Sequence, residues 1–402
     1  MGGHNGAERV RRMARGETTT RSDLDAGSLT ARLRERGVER LAGAEEVWAI
    51  VDPSELRKPH ARAMADLMRV RKLGGEGTVP GYRTLNVLGV GPDGRRGVLY
   101  HRLFSSQEDG FLSESAEIQD ALATVGAALA GRSGPLSYLL DSQFDDEAVF
   151  SAIWQRGDHL VCRLKHTERK IEVPIADGVW AGTDVAAAAA GASERARVHT
   201  ELLVRKRGQR AAKRQPTTAI ISARAVRLQY PLDGSDRRVS PRREKDAWLV
   251  RVALDNVDAE PWLLLTDWPV TDEASALRVF RMYRMRWAVE DCFKFTKDVL
   301  GWEDVQLLDL TGVRTLVALG WVAAGFLYEL GVTLEWPEVR LLARLGGWVP
   351  HKDRTPGKVA LTRGLQRLLD HWATDAILAD EIKRYGALPP RIAALLGRPL
   401  PT

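Results

Sequence analysis

Four polar residues near position 290 have a spacing that would place them together on one helix face. Tyr283, Arg286, Glu290 and Lys297 form the pattern Y-x2-R-x3-E-x6-K. At about 100° of rotation per residue, these positions fall within a stripe of about 60°. One interpretation is a solvated face with an Arg286–Glu290 ion pair worth a few tenths of a kcal/mol. The other is a functional face, because two cations and a tyrosine hydroxyl can bind a phosphate and a carboxylate beside them can hold a metal ion.

Two aspartates further upstream could complete an acidic centre with Glu290. Asp52 follows the apolar run 47–51, and Asp141 follows the run 136–140. Short runs rich in aliphatic and aromatic residues predict buried strands, so each aspartate is expected at a strand end. Hard cations such as Mg²⁺ prefer oxygen ligands. Three carboxylates are therefore a suitable donor set without any His or Cys.

Together these features resemble the DDE transposases of the transposon-five and insertion-sequence-four group, which belong to the retroviral-integrase superfamily. Besides the Y-R-E-K signature, the similar segments are 145–156, 159–166, 261–266 and 343–348. The likeness extends from about residue 47 to residue 370. It implies an α/β fold, with an RNase H-like catalytic core, an inserted all-β subdomain and a helical C-terminal segment.

The implied organisation has five parts. They are a short N-terminal helical segment (1–45), the first part of the core (46–166), the β insertion (167–261), the second part of the core with the Glu helix (262–330), and a helical region that could dimerise (331–402). Within the first part, we expect a helix over 55–70 and a hairpin around the turn 91–94. In the insertion we expect four strands, near 197–205, 217–228, 247–254 and 262–266.

The resemblance also implies an activity, cut-and-paste DNA transposition by hydrolysis and strand transfer at transposon ends. Two Mg²⁺ or Mn²⁺ ions about 3.5–4 Å apart stabilise the attacking and leaving oxygens in such chemistry. Asp52, Asp141 and Glu290 are the implied catalytic metal ligands. The implied partners are double-stranded DNA, as inverted-repeat ends and target, and a second copy of the chain when the ends are synapsed.

Six residues match family positions that contact DNA. Tyr283, Arg286 and Lys297 match residues that grip phosphates near the cleaved end. Trp262 matches an aromatic that stacks on a flipped base, and the alternative is a core Trp at a strand start. Arg163 and Lys165 match backbone contacts, with a solvated strand terminus as the alternative.

Composition is compatible with this interpretation but does not require it. The 402 residues carry a formal charge of +6, a modest excess that favours an anionic partner. Basic clusters at 205–214 and 237–243 are either solvated loops or phosphate contacts. The cysteines Cys162 and Cys292 stand in apolar contexts and indicate reduced thiols. We expect a cytoplasmic, nucleoid-associated protein without a membrane span, in which 315–328 is a buried helix.

Two other functions remain open at this stage. Only 51 residues precede Asp52, so the end-recognition domain of full-length relatives is expected to be reduced or missing. An N-terminally shortened, non-catalytic inhibitor or remnant of a transposase would fit that observation. A domesticated nuclease with the same triad is the third reading.

Overall fold

The computed structural model describes residues 25–74, 76–132, 134–204, 213–231, 242–255, 260–298, 301–304, 307–350, 355–389 and 392. Over these residues the chain is mixed α/β. The strands are β1 (Val47–Arg57), β2 (Met68–Arg71), β3 (Thr78–Val90), β4 (Arg96–Phe104), β5 (Leu136–Leu140), β6 (His159–Arg163), β7 (Lys170–Ala176), β8 (Val179–Asp184), β9 (Ser193–Val204), β10 (Lys213–Pro231), β11 (Arg242–Leu254) and β12 (Trp262–Thr266). The helices are α1 (Ala26–Leu41), α2 (Glu114–Ala128), α3 (Glu147–Trp154), α4 (Val185–Ala190), α5 (Glu273–Met285), α6 (Trp287–Asp298), α7 (Leu310–Thr333), α8 (Trp336–Leu345) and α9 (Lys358–Tyr385).

All of these strands belong to one mixed sheet of 12 strands. Its order is β2-β3-β1-β5-β6-β12-β11-β10-β7-β8, with β4 beside β3 and β9 beside β10. The pairs β1–β5 and β5–β6 are parallel, whereas β1 and β3 are antiparallel. The parallel centre lies where the sequence is continuously apolar, and β5 is buried along its whole length, as expected for strands covered on both faces.

Helix α1 and strand β4 approach each other through glycines. A Cβ at Gly37 would lie 2.3 Å from the carbonyl oxygen of Val98, and one at Gly97 would lie 2.4 Å from the carbonyl oxygen of Gly37. Both distances are too short for a side chain, so a residue with a Cβ would push the helix off the sheet. The helix begins at Asp25, whose Oδ1 accepts from the backbone N of Ser28 at 2.9 Å, a cap that satisfies one free donor of the first turn.

The predicted hairpin around 91–94 is confirmed as β3 and β4, but the predicted helix over 55–70 is wrong. Strand β1 continues through Pro53 to Arg57, pairs with β3 along this stretch, and is followed by the short strand β2. Pro53 is tolerated because pairing with β5 ends at Val51, which leaves the strand a single neighbour there. In β2, Met68 and Val70 are buried while Arg69 and Arg71 are exposed, the period-two alternation of a strand.

The predicted insertion contributes strands to this same sheet. Strands β7 to β11 extend the sheet beyond β12, with β11 next to it, and the four expected strands are present as β9, β10, β11 and β12. The segment is not all-β, because α4 follows β8 and begins at the cap residue Asp184. The predicted basic clusters 205–214 and 237–243 lie largely outside the described residues.

Contacts divide the described chain into two compact units, one up to Gly325 and the other from Phe326 onwards. Helix α7 has a stretch, Leu310–Leu330, that is long and apolar enough to cross a membrane by length and composition, and half of it is buried within the protein. The expected buried helix at 315–328 is thus part of a longer one, with Val317 and Trp321 fully buried. In the second unit, α8 and α9 pack closely at Gly346 and Gly364. Dimerisation by this unit stays a prediction.

Candidate active site

The first two acids of the predicted triad lie on neighbouring strands. In the parallel β1–β5 pair, Val51 is opposite Leu140, so Asp52 and Asp141 are the next residue on each chain. Neighbouring strands are about 4.8 Å apart, which places the two backbones side by side. Asp141 ends its strand as predicted, and its Oδ1 accepts from the backbone N of Ser142 at 2.7 Å. Asp52 does not end its strand, because β1 continues beyond it.

Asp52 is a buried acid with other charges around it. The residue is only 8% exposed. The pKa of its carboxyl is raised to about 7, chiefly by burial; Asp141 and Glu290 also raise it, whereas Arg286 and Lys297 act in the opposite direction. The structure thus brings the predicted carboxylates into one electrostatic centre, although they are far apart in sequence.

A buried polar pair supports strand β1 at Asp52. Asn86 of β3 is opposite Asp52, and its Nδ2 donates to the Asp52 carbonyl oxygen at 3.4 Å and to Thr84 Oγ1 at 2.9 Å. The Oδ1 of Asn86 lies 2.7 Å from Nδ1 of His101, which must carry the proton because an amide oxygen only accepts. Burial lowers the pKa of His101 to about 3, so this ring is a neutral structural donor.

Arg286 lies at the junction of two helices and bridges two acids. The predicted single helix is wrong at this point: α5 ends at Met285 and α6 begins at Trp287, with i,i+3 backbone bonds on either side of Arg286. Its guanidinium is 2.8 Å from Glu290 Oε1 and 3.8 Å from Asp141 Oδ2. The Arg286 side chain is 8% exposed and the Glu290 side chain 55%. The ion pair is therefore the expected i,i+4 one, but its cation is buried and also faces Asp141.

Two hydrogen-bond donors at this junction lack an acceptor. The Tyr283 hydroxyl and Arg286 Nε are buried and make no hydrogen bond within the part of the chain that the structure describes. Burial raises the pKa of Tyr283 to about 12, so the hydroxyl keeps its proton. A buried donor without a partner costs about 1–3 kcal/mol. A group that satisfied both donors would be an acceptor, such as a phosphate oxygen.

Lys297 and Gln143 lie on the side of the centre toward β1. The Lys297 ammonium donates to the carbonyl oxygen of Glu55 at 2.8 Å and lies 3.9 Å from Glu303 Oε1. Gln143 Nε2 donates to Asp52 Oδ1 at 3.4 Å. The predicted Lys297 therefore belongs to the same surroundings as Asp52, whereas Gln143 was not predicted.

Trp262 is buried, whereas stacking on a flipped base would require an accessible ring face. It is 8% exposed and packs against Phe280, Tyr283 and Trp287, with ring centroids 6.3, 5.6 and 5.6 Å away. The alternative of a core Trp at a strand start therefore describes its position. Trp287 is 36% exposed, stands edge-on to Trp262 and directly follows Arg286. It is the aromatic of this cluster that presents surface to solvent.

Arg163 and Lys165 line a groove on the other side of Asp141. The groove holds about 730 Å³, and its lining also includes Ser142 and Arg251. The loop that carries Lys165 is fixed by the buried Asp145, which accepts from the backbone N of Lys165 at 2.6 Å and pairs with Arg169 at 2.6 Å. The two predicted cations thus lie in one basic groove, one and three residues beyond a fully buried Cys162.

The donor chemistry of the three acids fits a divalent cation, but their arrangement does not yet form a ligand set. Among the described residues, no three His, Cys, Asp or Glu side chains are grouped so that they could hold a metal ion. In this structure Arg286 bridges Glu290 and Asp141 instead. Burial, with a smaller contribution from the negative charges of Asp141 and Glu290, raises the pKa of Asp52, and a bound cation would favour its charged form.

Sequence reasoning missed several residues of this region. Asn86 was a detectable signal, since it is an amide within the otherwise apolar strand residues 85–90. Gln143 stands two residues after Asp141, where a loop residue can turn back toward the neighbouring strand. His101 gave no signal, because its role depends on pairing between β3 and β4.

Neither a scan against models of protein families nor a search of curated proteins found a match to this chain.

The buried Asp52 predicts an unusual pH dependence of stability in the absence of divalent ions. Its pKa is raised by burial from 3.8 to about 7, so the folded state binds the proton more tightly than the unfolded state. The resulting stability is full below the unfolded pKa and is lost as the pH rises toward 7. We expect Asp52→Asn to lack this loss, and to be more stable than wild type at pH 8 by on the order of a few kcal/mol.

Urea unfolding at pH 5 and pH 8 in EDTA measures this difference. Asp267→Asn is the control of opposite sign: burial raises the pKa of Asp267, but hydrogen bonds from His159 and the Leu160 backbone outweigh it, so the net pKa is lowered. That variant should be less stable than wild type at pH 8. An Asp52→Asn protein less stable than wild type at pH 8 would contradict the burial of a costly charge.

The two tryptophans of the aromatic cluster should respond differently to truncation. Trp262→Ala removes a buried ring with three aromatic neighbours, which typically costs about 3–5 kcal/mol. Trp287→Ala removes a half-exposed ring and should cost clearly less, because relaxation and water fill its site. Chemical denaturation of both variants checks the order. Equal losses would mean that Trp262 is no more a core residue than Trp287.

Proposed function

We propose that this chain is a DDE-type DNA transposase that hydrolyses phosphodiesters at transposon ends and transfers the freed end into target DNA. The observation that carries the proposal is the site around Arg286. Three acids from distant parts of the sequence lie close enough there to influence one another electrostatically. Two buried donors beside them, the Tyr283 hydroxyl and Arg286 Nε, have no acceptor among the residues that the structure describes. Acids that repel one another suit divalent cations, and unpaired donors suit phosphate oxygens, so both halves of the site fit one substrate class.

The strand order supports an RNase H-like core for this proposal. Strands β4, β3 and β1 are successive antiparallel neighbours, followed by β5 and β6 in parallel to β1. In such a core, one strand carries the first aspartate, a strand after a hairpin and a crossover helix carries the second, and a later helix carries the third acid. Here Asp52 lies on β1, Asp141 directly after β5, and Glu290 on α6.

In this proposal, one set of residues binds the metal ions and another binds the phosphate. Asp52, Asp141 and Glu290 would hold Mg²⁺ or Mn²⁺, ions that supply charge stabilisation at the attacking and leaving oxygens. Tyr283 and Arg286 would donate to the phosphate, and an Arg286 that turns to a phosphate no longer needs Glu290 as its partner. Arg suits this because its planar fork donates to two phosphate oxygens at once. Trp287 offers its exposed face to a base beside the gripped phosphate, with Trp262 packed behind it.

A regulator that binds DNA without cutting it is the second candidate. The observation in its favour is the Arg286 bridge between Asp141 and Glu290, together with the lack of a ready metal group among the described acids. In that case the acids would serve to anchor Arg286. The two candidates make opposite predictions about cleavage.

The experiment is a nicking assay on supercoiled plasmid carrying the genomic DNA that flanks the gene. We expect cleavage in Mg²⁺ or Mn²⁺ that is lost in EDTA. Asp52→Asn, Asp141→Asn and Glu290→Gln should each lower the rate by at least about 10²-fold, since residues of one centre fail together. Glu273→Gln is the matched control, because Glu273 is an exposed acid in the first turn of α5, and it should cleave like wild type.

Binding must be measured on the same proteins to separate the two candidates. DNA binding without cleavage by wild type would favour the regulator. Cleavage that survives all three substitutions would exclude the proposed acids from the chemistry.

A further inference from the structure

A second basic surface lies beside the acidic centre, on the side away from Arg163 and Lys165. It is a cleft of about 540 Å³ formed by β1, β2, β3 and the end of α6. Its cationic lining consists of Arg57, Arg69, Arg71, Lys72, Arg83 and Lys297, against the one acid Glu55. We call this surface the hairpin cleft, because the β2–β3 hairpin forms its outer wall.

The cations of the hairpin cleft have two different roles. Arg57 pairs with Glu55 at 2.6 Å and donates from Nε to the carbonyl oxygen of Arg71 at 2.8 Å, which fixes the end of β2. Arg83 pairs with Glu114. Arg69 donates to the hydroxyl and carbonyl oxygens of Thr78. Arg71 and Lys72, in contrast, are exposed and have no ion pair to any residue that the structure describes. The described lining therefore contains cations that are held by partners and two exposed cations, Arg71 and Lys72, that can bind a ligand.

The hairpin cleft and the groove with Arg163 and Lys165 meet at the acidic centre. Gln143 lines the cleft and Ser142 lines the groove, and they are the second and the first residue after Asp141. In the sheet order the cleft covers β2, β3 and β1, and the groove covers β6 and β12. Five steps of about 4.8 Å between β2 and β12 span about 24 Å. That length corresponds to about seven phosphates of one DNA strand at 3.4 Å each.

We propose that the hairpin cleft binds the phosphate backbone of the DNA duplex that continues past the acidic centre, through Arg71 and Lys72. This inference rests on the proposed function for the identity of the duplex, while its charge argument concerns the cleft alone. Lys and Arg bind phosphates without reading bases. The contact should therefore be independent of sequence and strongly dependent on salt, because each neutralised phosphate releases counterions.

The test is fluorescence anisotropy of the full chain with a labelled 30-bp duplex of arbitrary sequence, in EDTA, over a series of salt concentrations. We expect Arg71→Ala/Lys72→Ala to weaken binding at least about tenfold at low salt. We also expect the slope of log affinity against log salt to become shallower by about 2, since each lost phosphate contact removes about 0.9. The control is Arg32→Ala/Arg36→Ala, an equal charge loss on exposed positions of α1 outside the cleft. It should change both quantities much less.

Unchanged affinity and slope in Arg71→Ala/Lys72→Ala, or an equal loss in the α1 control, would overturn the inference. Thermal melting shows whether the cleft variant is folded, which is expected because both side chains are exposed. A failure of the proposed function is a separate result. It would appear as a wild type that never cleaves DNA in Mg²⁺, while duplex binding and its dependence on Arg71 and Lys72 persist.

Discussion

The charge balance around Asp52 is the constraint on which the site depends. A carboxylate that is almost fully buried must be protonated, paired or bound to a cation, because an isolated buried charge is costly. Here two more acids lie near it, and Arg286 is paired with both of them and lowers the pKa of Asp52. Glu290 and Asp141 share Arg286, and Lys297 adds positive charge from the side of β1.

The sheet keeps this unfavourable arrangement in place. Strand β1 has neighbours on both sides up to Val51, and the Asn86 amide, itself held by a neutral His101, supports the backbone at Asp52. The junction between α5 and α6 then positions the buried guanidinium beside the strand ends. An unfavourable cluster of buried charges persists when the surrounding structure holds the residues in place, and such clusters are typical of functional centres. The buried Tyr283 hydroxyl and Arg286 Nε, which have no acceptor in the described part of the chain, belong to the same pattern.

Sequence patterns predicted the elements more reliably than the surroundings of each side chain. The apolar runs before Asp52 and Asp141 identified two buried strands, because continuous burial leaves a clear signal. The helix expected at 55–70 was wrong, since the strand continuation depends on pairing with β3, and the local pattern carries no information about that partner. The burial of Trp262 and the helix break at Arg286 have the same origin. Both follow from tertiary packing around α5 and α6. The position of residues on a helical wheel carries no information about that packing.

The predicted triad itself was a hypothesis drawn from a resemblance. The geometry supports the electrostatic interaction of the three acids more directly than it supports their role in cleavage. The Arg286 bridge shows why: with this cation in place, Asp141 and Glu290 are already paired. Binding of a divalent ion has to compete with that guanidinium and with the proton on Asp52. The account therefore requires that the acids prefer a metal ion to these partners at neutral pH.

Calorimetric titration of the full chain with Mn²⁺ at pH 8, without DNA, tests this claim most directly. The account predicts saturable binding to wild type that is abolished or weakened at least about tenfold in Asp52→Asn and in Glu290→Gln, and that is retained in Glu273→Gln. Wild-type protein that takes up no Mn²⁺, or that binds it equally well after loss of Asp52 and Glu290, would contradict it.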